Sequence, residues 1–122
     1  LAASASVPQA WRDNLRGLVD RAVGFAREVA GKPENEADAR RATSVLYHVA
    51  SAVALAWEAH RIHERRGDAR RLLLSRLVID HRVSPSDPFR LTENAAQAKI
   101  ADLLLGERDA GMSEVGELVL AA

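Results

Sequence analysis

Leu46-Tyr47-His48-Val49-Ala50-Ser51-Ala52-Val53-Ala54-Leu55-Ala56-Trp57-Glu58-Ala59 is the most apolar run of the chain. Val45, Val49, Ala52, Val53 and Ala56 recur at intervals of three and four, the period of a helix face. Leu46, Ala50, Leu55 and Trp57 widen that stripe, and between Val49 and Ala59 only Ser51 and Glu58 are polar. A helix apolar nearly all round belongs at the centre of a bundle, and its alanines permit close backbone approach. The reading is a long helix from about Glu36 to Arg65 that forms the core.

Upstream, Trp11, Leu15, Leu18, Ala22, Phe25 and Val29 make a second seam of the same period. Ser6 and Gln9 have the spacing of a capping box with Pro8 in the first turn. Gly31-Lys32-Pro33-Glu34-Asn35 ends that helix, because Gly favours a helix stop and Pro cannot continue one. Downstream, Gly67 followed by Asp68 reads as a stop and a new N-cap. A third helix is expected over Ala69–Val83, with Leu73, Leu74, Leu77, Val78 and His81 on its inner side. Ser84-Pro85-Ser86-Asp87-Pro88 reads as a turn, with Asp87 capping a helix whose first residue is Pro88. That fourth helix carries Leu91, Ala95, Ala98, Ile100, Ala101, Leu104 and Leu105. Gly111 and Gly116 interrupt the remainder.

These segments predict an all-α protein, an antiparallel four-helix bundle with a short or mobile C-terminal tail. The chain is expected to be one helical domain over 1–122, with a linker at 1–6, the bundle at 7–106 and the tail at 107–122. Leu1 in place of an initiator methionine suggests a fragment or a processed product of a longer protein.

The 122 residues are 48% hydrophobic and 28% charged, which is the balance of a globular chain and not of a disordered one. Acidic and basic residues cancel at 17 each, so no global field draws the chain to nucleic acid or to a membrane surface. The absence of cysteine excludes disulfides, thiolate metal sites and a cysteine nucleophile, and fits a cytoplasmic setting. No apolar run reaches the roughly 18 residues of a membrane span.

Charge is distributed unevenly. Between residues 60 and 82, seven arginines stand against Glu64, Asp68 and Asp80. Arg61, Arg65, Arg66, Arg70 and Arg71 crowd the Gly67 turn, and guanidinium forks bind phosphate bidentately. These five are the candidate phosphate-binding residues. Asp102, Glu107, Asp109, Glu114 and Glu117 give the tail the opposite excess, which favours pairing within the chain or between subunits. His60 and His63 share a helix face with Glu64, yet a zinc site wants at least three ligands in a closed arrangement, so a solvated helix end is the stronger reading. Glu58 is the most interesting carboxylate, read as a paired or snorkelling acid in preference to a general base. Trp11 and Trp57 read as core or interface anchors. There is no Gly-rich phosphate loop, no serine nucleophile elbow and no H-E-x-x-H.

The run Leu46–Ala59, with Gly67-Asp68-Ala69-Arg70-Arg71-Leu72-Leu73-Leu74-Ser75-Arg76-Leu77-Val78, resembles the C-terminal helical region of bacterial acyl-CoA dehydrogenase-like flavoproteins. The nearest branch is the one that includes the alkylation-response protein. The resemblance implies a parent oxidoreductase that holds FAD and acts on acyl-CoA thioesters. The chain has neither a β segment nor the family's Gly-rich pyrophosphate contact, so no catalytic residue carries over. It is expected to be an accessory, assembly-forming domain that packs on an upstream catalytic domain or on sister subunits as a homo-oligomer. A nucleic-acid or phosphate-binding module working through the arginine corner is the alternative, and the alkylation-response branch adds to it.

Overall fold

The computed structural model describes residues 1–85 and 95–121, and every regular element among them is helical. The expected Asp87 cap, Pro88 and Leu91 lie outside the described residues. In chain order the elements are α1 (Gln9–Gly31), a 3₁₀ turn (Pro33–Asp38), α2 (Ala39–Arg66) and α3 (Arg71–Val78). Helix α3 widens into a π turn (Ile79–Val83), and α4 (Ala95–Leu105) and α5 (Met112–Leu120) follow.

Helix α1 buries the predicted seam: Trp11, Leu15, Leu18, Ala22 and Val29 are inside, and Phe25 is half-buried under the Arg41 guanidinium, 5.1 Å from the ring centroid. Its start differs from expectation. No side chain caps α1, and Pro8 occupies the N-cap. Gln9 bonds Asp13 and Arg12 on the exposed side, so the capping box does not form. The segment read as a linker is packed, with Ser4 fully buried and Val7 1% exposed. An apolar Val7 and two tight turns, Ser4 N–H to the Leu1 carbonyl and Val7 N–H to the Ser4 carbonyl, fold it back as a strap.

Helix α2 places Ala42, Val49, Ala52, Ala56, Ala59 and His60 inward. Its apolar character all round is not matched by burial all round, which corrects the central-helix reading. Tyr47 and Trp57 are 67% and 46% exposed, and Ala50 and Ala54 are exposed between them. Gly67, at φ +79°, ends the helix as predicted, in the left-handed region that favours glycine.

Helix α3 turns Leu72, Leu73 and Ser75 inward and its π turn adds Ile79, while His81, expected inside, is exposed. The extra residue in the π turn rotates the face away from a simple helical period. Ser75 joins three helices: its hydroxyl donates to the Ala52 carbonyl at 2.7 Å and accepts the Trp11 indole N–H at 3.3 Å. Ser75→Ala is expected to lower stability by roughly 1–2 kcal/mol, because it leaves a buried indole donor unpaired. The check is a lower urea midpoint at unchanged slope.

The last segment is a helix. Val115, Gly116 and Val119 of α5 are buried, and a Cβ on Gly116 would sit 3.0 Å from Pro8 Cγ. The glycine read as an interruption is the residue that lets α5 lie against the start of α1. In α4, Ile100 is buried, whereas Leu105, expected on the inner stripe, is 87% exposed.

Candidate functional site

The arginine corner is built around one buried carboxylate. The left-handed Gly67 reverses the chain and presents Asp68, which is 6% exposed, to the start of α3 and to the loop between α4 and α5. Asp68 Oδ1 accepts the backbone N–H of Arg70 at 3.2 Å and its Nε at 3.0 Å. Arg70 Nη2 reaches Oδ2 at 3.2 Å, and the Ala110 amide reaches Oδ1 at 3.4 Å. Burial alone would push this carboxyl up. The Arg70 side chain and the two amides outweigh burial and hold it at about 2.

Arg70 spends its remaining donors on the other loop. Nη1 donates to the Gly106 carbonyl at 2.7 Å and Nη2 to Asp109 at 3.2 Å, while the Ala69 amide bonds the Ala110 carbonyl at 2.7 Å. Arg76 acts likewise one turn on: it pairs with Asp80 and donates to the carbonyls of Val119 and Ala121 at 2.9 and 2.6 Å. Both arginines thus cap helix C-termini, where unpaired carbonyls and the helix dipole favour a cation. The acidic tail supplies the partner Asp109, as its charge excess suggested.

Arg66 lies 3.4 Å from Asp68, and Arg71 donates to Glu58 at 2.7 Å. Glu58 is therefore a paired helix acid. Arg66, Arg70 and Arg71 line one shallow hollow of about 300 Å³ together with Asp68, Ile62, Leu74 and Leu104. Arg61 and Arg65 do not join it. Arg61 sits over the Trp57 ring at 5.8 Å, and Arg65 is exposed. The structure brings together three of the five predicted arginines and engages each of those three with a carboxylate.

The second surface is the open side of α2. Tyr47, Ala50, Ala54 and Trp57 follow one another at spacings of three, four and three, so they form a single stripe along the helix. Sequence reasoning put Ala50 on the core stripe and left Trp57 as a core or interface anchor, because apolar periodicity marks a face without saying what covers it.

The histidines diverge. His60 is buried and contacts Ser6, contrary to the solvated-end reading. Among the described residues no group of three or more His, Cys, Asp or Glu side chains could hold a metal ion. No helix among them is long and apolar enough to cross a membrane. No family model matches the chain, and neither a curated protein nor a solved structure does.

Proposed function

We propose that this chain is an assembly domain, non-catalytic in that role, whose α1–α4 form an antiparallel four-helix bundle and whose α2 docks on a second copy of itself. The exposed stripe Tyr47-Ala50-Ala54-Trp57 carries this reading. Its order, aromatic, alanine, alanine, aromatic at spacings of three, four and three, reads the same in both directions. A two-fold axis opposite residue 52 would set each Tyr47 at the level of the second copy's Trp57 and each Ala50 at the level of its Ala54. Self-complementarity of this kind is what an isologous interface requires. Paired alanines let the backbones approach, and aromatic residues anchor interfaces while losing little side-chain entropy. Charge supports the antiparallel sense. Exposed Arg40 and Glu64 come to the same level at both ends of such a pair, whereas parallel helices would set like charge beside like.

Sedimentation velocity across a hundredfold concentration range tests the reading. A concentration-dependent dimer is expected, and a monomer throughout would overturn it. The flavoenzyme parent rests on the resemblance alone. The visible spectrum of the full native protein tests it, with a flavin band for it and a colourless protein against it.

The hollow lined by Arg66, Arg70 and Arg71 favours phosphate as a second reading. Arg66→Glu with Arg71→Glu should then abolish a salt-dependent affinity for DNA or coenzyme A. No affinity in the unaltered protein at low salt would end that reading.

A further inference from the structure

Ser6 and His60, which neither docking nor the arginine corner uses, form a line of polar groups with Glu64. Ser6 Oγ lies 2.7 Å from His60 Nδ1, and the Ser6 backbone N–H donates to the same nitrogen at 3.4 Å. An amide N–H can face only an unprotonated ring nitrogen, so the neutral imidazole carries its proton on Nε2. That nitrogen lies 3.4 Å from Oε2 of the exposed Glu64, within ion-pair distance once the ring is charged. The tautomer leaves Nδ1 as a base against a serine hydroxyl, with a carboxylate behind the ring to steady the imidazolium formed by proton transfer.

The surroundings hold this line in place while leaving one end open. His60 is 7% exposed and shielded, whereas Ser6 is only half-buried. The strap that carries Ser6 is pinned on both sides of it, by buried Ser4 and by Val7, with Pro8 lodged against Gly116. Helix α1 begins three residues later with no side-chain cap, and its first bonded amide is that of Trp11 to the Pro8 carbonyl. The amides of Gln9 and Ala10 therefore stand at the uncapped start of a 23-residue helix, a few residues from the hydroxyl. Backbone donors of this kind stabilise an oxyanion.

We propose that Ser6 is a nucleophile toward activated carboxylic esters, with His60 as its general base and Glu64 as a positioning residue. Ser6 Oγ attacks the ester carbonyl as its proton passes to His60 Nδ1. The carbon–oxygen bond to the leaving alcohol breaks and that oxygen takes the proton, which leaves acyl-Ser6. Water then attacks the acyl carbon, gives a proton to Nδ1 and releases the acid, and Ser6 Oγ takes that proton back. No oxidant or further reactant is needed.

The test treats the folded full chain with a fluorophosphonate probe and locates the adduct by peptide mass spectrometry, alongside hydrolysis of p-nitrophenyl acetate. A single adduct on Ser6 is expected, lost on unfolding in urea and absent from Ser6→Ala. His60→Gln should slow labelling at least ~100-fold, the usual worth of a general base. Glu64→Gln should slow it roughly tenfold without moving the unfolding midpoint. Ser44→Ala, at an exposed position on α2, should label like the unaltered chain. No adduct on the folded chain, labelling spread over its serines, or an unchanged rate in a folded His60→Gln variant would each overturn the proposal.

Discussion

Replacing Asp68 by alanine is expected to destabilise the protein by about 2–4 kcal/mol, the range for removing one member of a buried, hydrogen-bonded ion pair. The carboxylate gathers the Arg70 side chain and the amides of Arg70 and Ala110. Without it, a half-buried guanidinium and a buried amide lose their acceptor, and the α4–α5 loop loses its anchor on the Gly67 turn. Limited proteolysis should then cut first within residues 106–111, well before α1 or α2 is attacked. The acid dependence follows from the same group. Its folded pKa is depressed from 3.8 to about 2, so its stabilisation is complete above the unfolded value and disappears as the pH falls through the folded one. The shift corresponds to about 2 kcal/mol. Denaturant midpoints of the unaltered protein should fall through that window, and those of Asp68→Ala should fall by less. An Asp68→Ala variant as stable as the parent at neutral pH, with the same acid slope, would show that the clasp contributes nothing.

Placing a charge on the α2 stripe is expected to abolish self-association and leave the fold intact. Ala54 is exposed and Trp57 is 46% exposed, so Ala54→Arg should move monomer stability by no more than about 0.5 kcal/mol and Trp57→Glu, which gives up the covered part of the ring, by roughly 1–2 kcal/mol. In the proposed pair, the arginine would lie where two helix backbones meet, with no acid opposite. An unpaired charge in such an interface costs about 2–5 kcal/mol, equivalent to a dimer dissociation constant roughly 30- to 4,000-fold weaker. Sedimentation velocity with circular dichroism on the same samples separates the two effects. Dimers that persist in both variants would place the interface elsewhere.

The residues differ in how plainly the chain announced them. The α1 seam and the Gly67 stop were readable because each depends on local rules, helical period in one case and a positive φ in the other. The open face of α2 was not, since Ala50 and Ala54 satisfy the same pattern whether a neighbouring helix covers them or not. The opposite charge excesses at 60–82 and in the tail pointed to pairing, and Asp109 with Arg70 realises it. That Arg70 and Arg76 would cap α4 and α5 depends on where the loops return, which charge counting does not reach. Ser6 and His60 were each assigned a local role, a cap and a solvated end. Their partnership spans 54 residues and no spacing encodes it. Gly116 was taken for a breaker because the close approach of Pro8 is a tertiary fact.

The contact between Pro8 and Gly116 also orders events in time. It closes the span from Pro8 to Gly116 into a ring, whereas α1 and α2 meet across a short turn and need no distant partner. Contacts of long sequence separation carry the largest closure entropy and form late. The helical hairpin therefore assembles first, and the strap at residues 1–8 waits for α5 before it settles. A chain emerging from the ribosome would hold this strap unfinished until Gly116 arrives.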